Sequence, residues 1–165
     1  MIHTNNRVLD YIVGNWQVNS IFLARSGLPY QVYVSGDVAN TGNIGWAQYE
    51  RANLVGGVDP YVSNVSRDNG LNRAAFAIPD VYTFGNLGRN RLRTVPFWNL
   101  DFSIFRQFPF LESRRIEFRA EAFNVLNTVI YGQPSNDMAD PSSFGRIFGT
   151  ANSPRSLQLG AKIIF

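Results

Sequence analysis

The chain has 165 residues, the size of one ordinary domain, and 45% of them are hydrophobic. Charged residues are only 16%, against a usual ~25%, while aromatics reach 14% and the net charge is +3. These values argue against a charge-laced helical bundle and give no basic surface for nucleic acid, and zero Cys excludes a disulfide framework, a thiolate metal site and a cysteine nucleophile.

No apolar run reaches the ~18 residues of a membrane helix. Residues 1–7 do not open a signal peptide, because no apolar core follows them. An export signal is therefore expected upstream of Met1. Residues 1–14 form a short mixed segment that ends in a Gly14-Asn15 turn signal. From Trp16 the chain alternates, with Trp16, Val18, Ser20, Phe22 and Ala24 on one face and Gln17, Asn19, Ile21, Leu23 and Arg25 on the other. Ser26-Gly27-Leu28-Pro29 interrupts the pattern, and alternation resumes over Tyr30 to Val34. We expect one long bent strand over 15–35 with a bulge at Gly27, or alternatively a hairpin turning at Gly27-Leu28-Pro29.

Residues 36–96 are rich in Gly, Asn, Asp and Ser and read as a loop of about 60 residues, far beyond the ~12–15 typical of compact soluble domains. Alternation returns over 99–108. Leu100, Phe102, Ile104 and Phe108 share one face, with Arg106 as the exception. A short turn is expected over 109–114. The run 115–127 then places Ile116, Phe118, Ala120 and Ala122 opposite Glu117, Arg119 and Glu121. A second polar loop is expected over 128–154. The chain closes on Leu157, Leu159, Ala161, Ile163 and Phe165, every second residue apolar and the last aromatic.

About four strands of ~10 residues have the length of a tilted bilayer crossing. Each has an apolar face and a face of charged and amide side chains. In a soluble sandwich the apolar faces meet each other. In an outer-membrane barrel they meet lipid and the polar faces line a wet lumen. Alternation of short and long turns favours the barrel, as do aromatics at strand ends: Tyr11, Trp16, Phe108, Phe110 and Phe165 at one level, Phe97, Trp98 and Tyr131 at the other. The expected fold is all-β and antiparallel, with residues 1–165 forming the C-terminal strands of a transmembrane barrel. The competing expectation is a secreted β-sandwich binding module, for instance for carbohydrate. A third is a remnant without independent function, prone to aggregate through unpaired edge strands.

The segments Gly14-Asn15-Trp16-Gln17-Val18-Asn19, Tyr82-Thr83-Phe84-Gly85-Asn86-Leu87-Gly88-Arg89-Asn90 and Phe118-Arg119-Ala120-Glu121-Ala122-Phe123-Asn124-Val125-Leu126-Asn127 carry a resemblance. So does Phe144-Gly145-Arg146-Ile147. In this order they resemble the late barrel of Oar-like TonB-dependent outer-membrane receptors, from about Asn15 to the end. The resemblance implies uptake of a bulky ligand through a large barrel. Its implied partners are outer-membrane lipid, the barrel assembly machinery, the rest of the barrel with its plug, and the TonB system through an N-terminal part that these residues lack. The terminal Phe165, with Ile163, Ala161, Leu159 and Leu157 before it, is similar to the signal that the assembly machinery reads. If Phe165 is periplasmic, the 109–114 turn is periplasmic and both long loops face outward.

No catalytic, cofactor or metal site is expected. His3 is the single histidine, so a triad or zinc site lacks partners. Glu117 and Glu121 lie ~13 Å apart on one strand face with Arg119 between them, which suits a lumen charge ladder better than a glycosidase pair. Asp68-Asn69-Gly70 and the Asp137 to Asp140 stretch read as turn chemistry rather than calcium loops. Arg89, Arg91 and Arg93, near Arg73, could contact an anion, although exposed arginines at a rim are the plainer reading. Arg106 is expected to snorkel to the interface.

Overall fold

The computed structural model describes residues 14–42, 49–110 and 114–165. The segment 1–13, with His3 and Tyr11, and the centre of the expected short turn, 111–113, lie outside the described residues. The chain divides into two units, one holding Trp98–Val129, Ser153–Phe165 and the chain up to Ala24, the other Arg25–Phe97 and Ile130–Asn152.

The first unit is a four-stranded sheet. Its strands are β1 (Trp16–Arg25), β8 (Phe97–Pro109), β9 (Arg115–Phe123) and β10 (Ser156–Ile164), in the order β1-β8-β9-β10. The pairs β8–β9 and β9–β10 are antiparallel, and their registers align side chains of one kind across the sheet. Ile104 faces Ala120, which faces Leu159, and Phe108 faces Ile116, which faces Ile163. One residue along, Ser103 faces Glu121 and then Gln158, and Gln107 faces Glu117 and then Lys162. Period-two alternation within each strand thus becomes a two-faced wall, because a slip of one residue would invert a whole strand. The apolar face is open to its surroundings: Leu157 is 72% exposed, Leu159 83% and Phe165 83%. Leucines between two layers, as the sandwich requires, are not what this sheet forms.

The backbone amide of Phe110 donates to the Arg114 carbonyl at 3.1 Å, closing the short connection between β8 and β9. β9 ends at Phe123, four residues short of the expected Asn127. Asn124 takes φ 50° and Asn127 φ 52°, left-handed conformations in which Asn is the best-tolerated residue after Gly. The Asn124 amide donates to Asp101 Oδ1 at 2.8 Å, and the Val125 amide to the Leu100 carbonyl at 2.9 Å. The chain therefore turns on Asn124 instead of extending the strand.

The second unit corrects two expectations. Residues 15–35 are not one bent strand, and no hairpin pairs their halves. β1 stops at Arg25, β2 (Pro29–Tyr30) pairs antiparallel with β7 (Leu92–Arg93), and β3 (Tyr33–Ser35) pairs with β4 (Tyr49–Arg51). The physical reason is at Gly27 and Leu28. A Cβ on Gly27 would overlap the Thr94 carbonyl, so the backbones approach where only glycine fits. The Leu28 amide donates to Thr94 Oγ1 at 2.9 Å and the Thr94 amide returns a bond to the Leu28 carbonyl at 2.9 Å. These bonds tie Gly27 and Leu28 to Thr94 and end the strand that began at Trp16.

Residues 36–96 are likewise not an open loop. They contain β4, β5 (Asn53–Leu54), β6 (Phe76–Ala77), β7 and a 3₁₀ turn at Arg73–Ala75 capped by Asn72. Their apolar islands Leu71, Phe76, Leu87 and Leu92 meet Val32 and Val34 in one core, joined by Met138 and Phe144 from the second long segment. Val32 and Leu87 are 0% exposed. Each fully buried side chain of this size contributes about 1.5–3 kcal/mol, enough to order chain that composition alone marks as coil. Tyr131, expected in an interfacial girdle, belongs to this unit and bridges Thr150.

Candidate functional site

The polar face of the sheet is a connected ladder. Glu117 accepts from Gln107 Nε2 at 3.0 Å and from Arg119 at 3.3 Å, and Arg119 reaches Glu121 at 3.9 Å. The Arg119 guanidinium also lies 4.5 Å from the Phe105 ring centroid, a cross-strand partner by register. Arg119 is half-exposed while both carboxylates are mostly covered. Such pairs in a wet setting contribute about 0.2–1 kcal/mol each, so the ladder serves chiefly to give the face a mixed, hydrated charge pattern. Glu117 and Glu121 are held by the one arginine between them.

The other face brings the terminal set together. Leu157, Leu159, Ala161 and Ile163 align with Ala122, Ala120, Phe118 and Ile116. The Arg114 guanidinium sits 5.7 Å from the Phe165 ring centroid. Trp16 and Phe108, expected at one level, both contact Arg106, at 5.0 and 4.3 Å from their ring centroids.

A sheet wall with one continuous apolar face, one charged face and strands of bilayer-crossing length suits a membrane barrel. The family model described as outer membrane beta barrel domain matches residues 1–158. The chain belongs to that family. Neither a curated protein nor a solved structure matches it. Outer membrane beta barrel domains reside in the outer membrane of Gram-negative bacteria, and the apolar face of such a barrel wall is the one turned to hydrocarbon.

That assignment sets a prediction for the wall of the barrel domain. Replacing Leu159 by arginine is expected to cost about 2–4 kcal/mol near the bilayer midplane, whereas Gln158→Arg on the lumen face is expected to be nearly neutral. Urea midpoints of the complete protein folded in micelles, followed by tryptophan emission, measure the difference. Equal midpoints would contradict the assignment of faces.

The arginines singled out as an anion contact have different surroundings. Arg93 donates to the Gly27 carbonyl at 3.0 Å, holding β7 against the start of β2. Arg73 lies 5.3 Å from the Phe144 ring centroid and 3.5 Å from the Met138 carbonyl. Arg89 and Arg91 are exposed on either side of Asn90, which takes φ 52°. Among the described residues no group of three or more His, Cys, Asp or Glu is arranged to hold a metal ion.

The aspartates of the long segments act as turn staples. Asp37 accepts from the Thr41 amide at 2.7 Å and the Gly42 amide at 2.8 Å, which hold its carboxyl below the usual range. Asp137 Oδ1 accepts from the Ser35 and Ala139 amides, tying the second segment to β3. Asp140 accepts from the Ser142 and Ser143 hydroxyls, each at 2.6 Å, and its pKa falls to about 2. A depressed carboxylate adds stability above its ordinary pKa of 3.8 and loses it as pH falls toward about 2. Exchange of the Ser142 amide, hydrogen-bonded to Asp140 Oδ1, is therefore expected to accelerate between about pH 4 and 2 beyond its intrinsic rate, and Asp140→Asn should flatten that rise. An identical pH profile in the variant would refute the role.

The carboxamides are the feature that sequence reading passed over. The Leu54 amide donates to Asn86 Oδ1 at 2.7 Å and the Asn86 amide donates to Asn53 Oδ1 at 2.9 Å, a reciprocal clasp between β5 and the segment that joins β6 to β7. Asn136 Nδ2 donates to the Gln31 carbonyl at 2.5 Å. The abundance of Asn was the available signal, but abundance carries no pairing information.

Proposed function

We propose that the chain is the C-terminal part of a TonB-dependent transporter of the Oar-like type. It contributes wall strands, a charged lumen lining and two outward-facing segments for uptake of a ligand. The observation that carries this reading is the Glu117-Arg119-Glu121 ladder opposite an exposed apolar face, on strands separated by two long stretches that together form a compact unit. A small barrel that only anchors a protein has little use for that much ordered chain between crossings. Among the described residues the sheet ends at β1 and β10. Each needs a partner strand from the remainder of the barrel, because an unpaired edge in hydrocarbon leaves backbone groups unsatisfied. The remaining barrel and plug, the assembly machinery acting on Phe165, and TonB acting on the N-terminal part are the partners this reading requires. No catalysis and no cofactor are assigned to these residues.

The test combines two measurements on the complete protein. Crosslinking to the periplasmic domain of TonB should give a specific complex, and planar bilayers should show a pore closed at rest by its plug. A permanently open pore with no TonB complex would identify a porin and overturn the proposal.

A further inference from the structure

The lipid-facing side of the sheet carries a hollow of about 780 Å³ beside Arg106, lined by Trp16, Ile104, Phe118, Leu159 and Ala161. Small side chains make the hollow: Ala120 and Ala161 lie between the larger Ile104, Phe118 and Leu159 of their own and neighbouring strands. Arg106 is the one cation among the described lining residues that lies on this face by register, opposite Phe118. Its guanidinium is held by rings, 5.0 Å from the Trp16 centroid and 4.3 Å from that of Phe108, and Phe108 meets Phe118 edge-on at 5.7 Å. Aromatic contact engages the π face of a guanidinium, while oxyanions are bound through its N–H edge.

Depth along the strand identifies what oxyanion is near. Arg106 lies three residues before Pro109, the end of β8, or about 10 Å at ~3.3 Å per residue. That end leads into the short connection closed by Phe110 and Arg114, and short turns of outer-membrane barrels are periplasmic. Arg114, over Phe165, sits at the same end. The Arg106 guanidinium lies over the Phe108 ring, two residues nearer that end, and a long cationic side chain at such a depth can extend to the headgroup layer.

We propose that Arg106 anchors a glycerophospholipid of the periplasmic leaflet on the outer wall, its guanidinium edge binding the phosphate diester and one acyl chain lying in the hollow between Ile104 and Leu159. The ligand is chosen by charge complementarity at the phosphate and by an apolar trough below it. The outer-leaflet alternative, the phosphates of lipid A, would demand that this end of β8 face the cell exterior.

Native mass spectrometry of the complete protein in detergent tests the site, with phosphatidylglycerol, diacylglycerol of the same chains and lipid A added in turn. One phosphatidylglycerol per barrel should be retained, with diacylglycerol at least ten-fold weaker. Arg106→Gln should weaken phosphatidylglycerol about ten-fold and Arg106→Lys less, while Ala120→Phe, which fills the hollow and keeps the charge, should also weaken it. Heat-modifiable electrophoretic mobility reports that each variant is folded. Should Arg106→Gln fail to fold, the comparison of headgroups on the unaltered protein and the Ala120→Phe variant still decide. Equal retention of diacylglycerol, unchanged binding by folded Arg106→Gln or by folded Ala120→Phe, or preferential retention of lipid A would each overturn the proposal.

Discussion

Replacing Gly85 by alanine is expected to open the second unit while leaving the sheet wall intact. A Cβ at this position would overlap the Arg51 carbonyl oxygen and stand 2.6 Å from that of Ala52. Neither carbonyl can yield cheaply. Arg51 pairs with Tyr33 across β3–β4, and the Ala52 oxygen accepts from the Leu87 amide at 3.1 Å. Ala52 and Leu87 are both 0% exposed, so the displaced backbone has no solvent to move into. The cost should lie at or above the upper end of the overpacking range, about 3 kcal/mol. Amides of β3, β4 and β5 are then expected to exchange about 100-fold faster, with those of β9 and β10 unchanged. Protection that stays level in both units would sink this reading. Thr94 opposes Gly27 in the same way, and Gly27→Ala should act on the β2–β7 pair.

Asn124→Ala is expected to be the most damaging polar change in the sheet unit. The side chain is 5% exposed and engages three backbone groups. Its Nδ2 donates to the Thr128 and Ser153 carbonyls, each at 3.0 Å, and its Oδ1 accepts from the Thr128 amide at 3.0 Å. Together these bonds fix where the chain leaves β9 and where it re-enters before β10. Alanine would strand those groups at about 1–3 kcal/mol for each one that water cannot reach, and would sit less well at φ 50°. A total of about 3–5 kcal/mol follows, read as a lowered urea midpoint of the folded protein. Asn124→Gly tolerates the backbone angle but makes no side-chain bonds, so it should recover only the conformational part. If glycine matched the natural protein, the bonds would carry nothing and the argument would fail.

The two variants also show why one part of the molecule was legible and the other was not. Every second residue of β8, β9 and β10 points to one face, and that parity is a local property of an extended backbone. Reading Ile116, Phe118, Ala120 and Ala122 against Glu117, Arg119 and Glu121 therefore anticipated the wall and its charge ladder. The contacts that fold the second unit have no such period. Gln31 is held by Asn136, 105 residues away, and Ser35 by Asp137, 102 residues away. Glycines chosen because a foreign carbonyl lies against them look, in sequence, like the glycines of any coil.

What the chain's own order of residues determined was the two-sided character of each crossing strand, down to the aromatic at Phe165, since side-chain alternation needs no partner to be set. Tertiary structure alone decided that 15–35 breaks after Arg25, that β9 stops before Asn124, and that the two long segments close over a shared core. Those outcomes depend on amide-to-carbonyl bonds and backbone approaches between distant residues, which acquire direction only once the chain has brought them together.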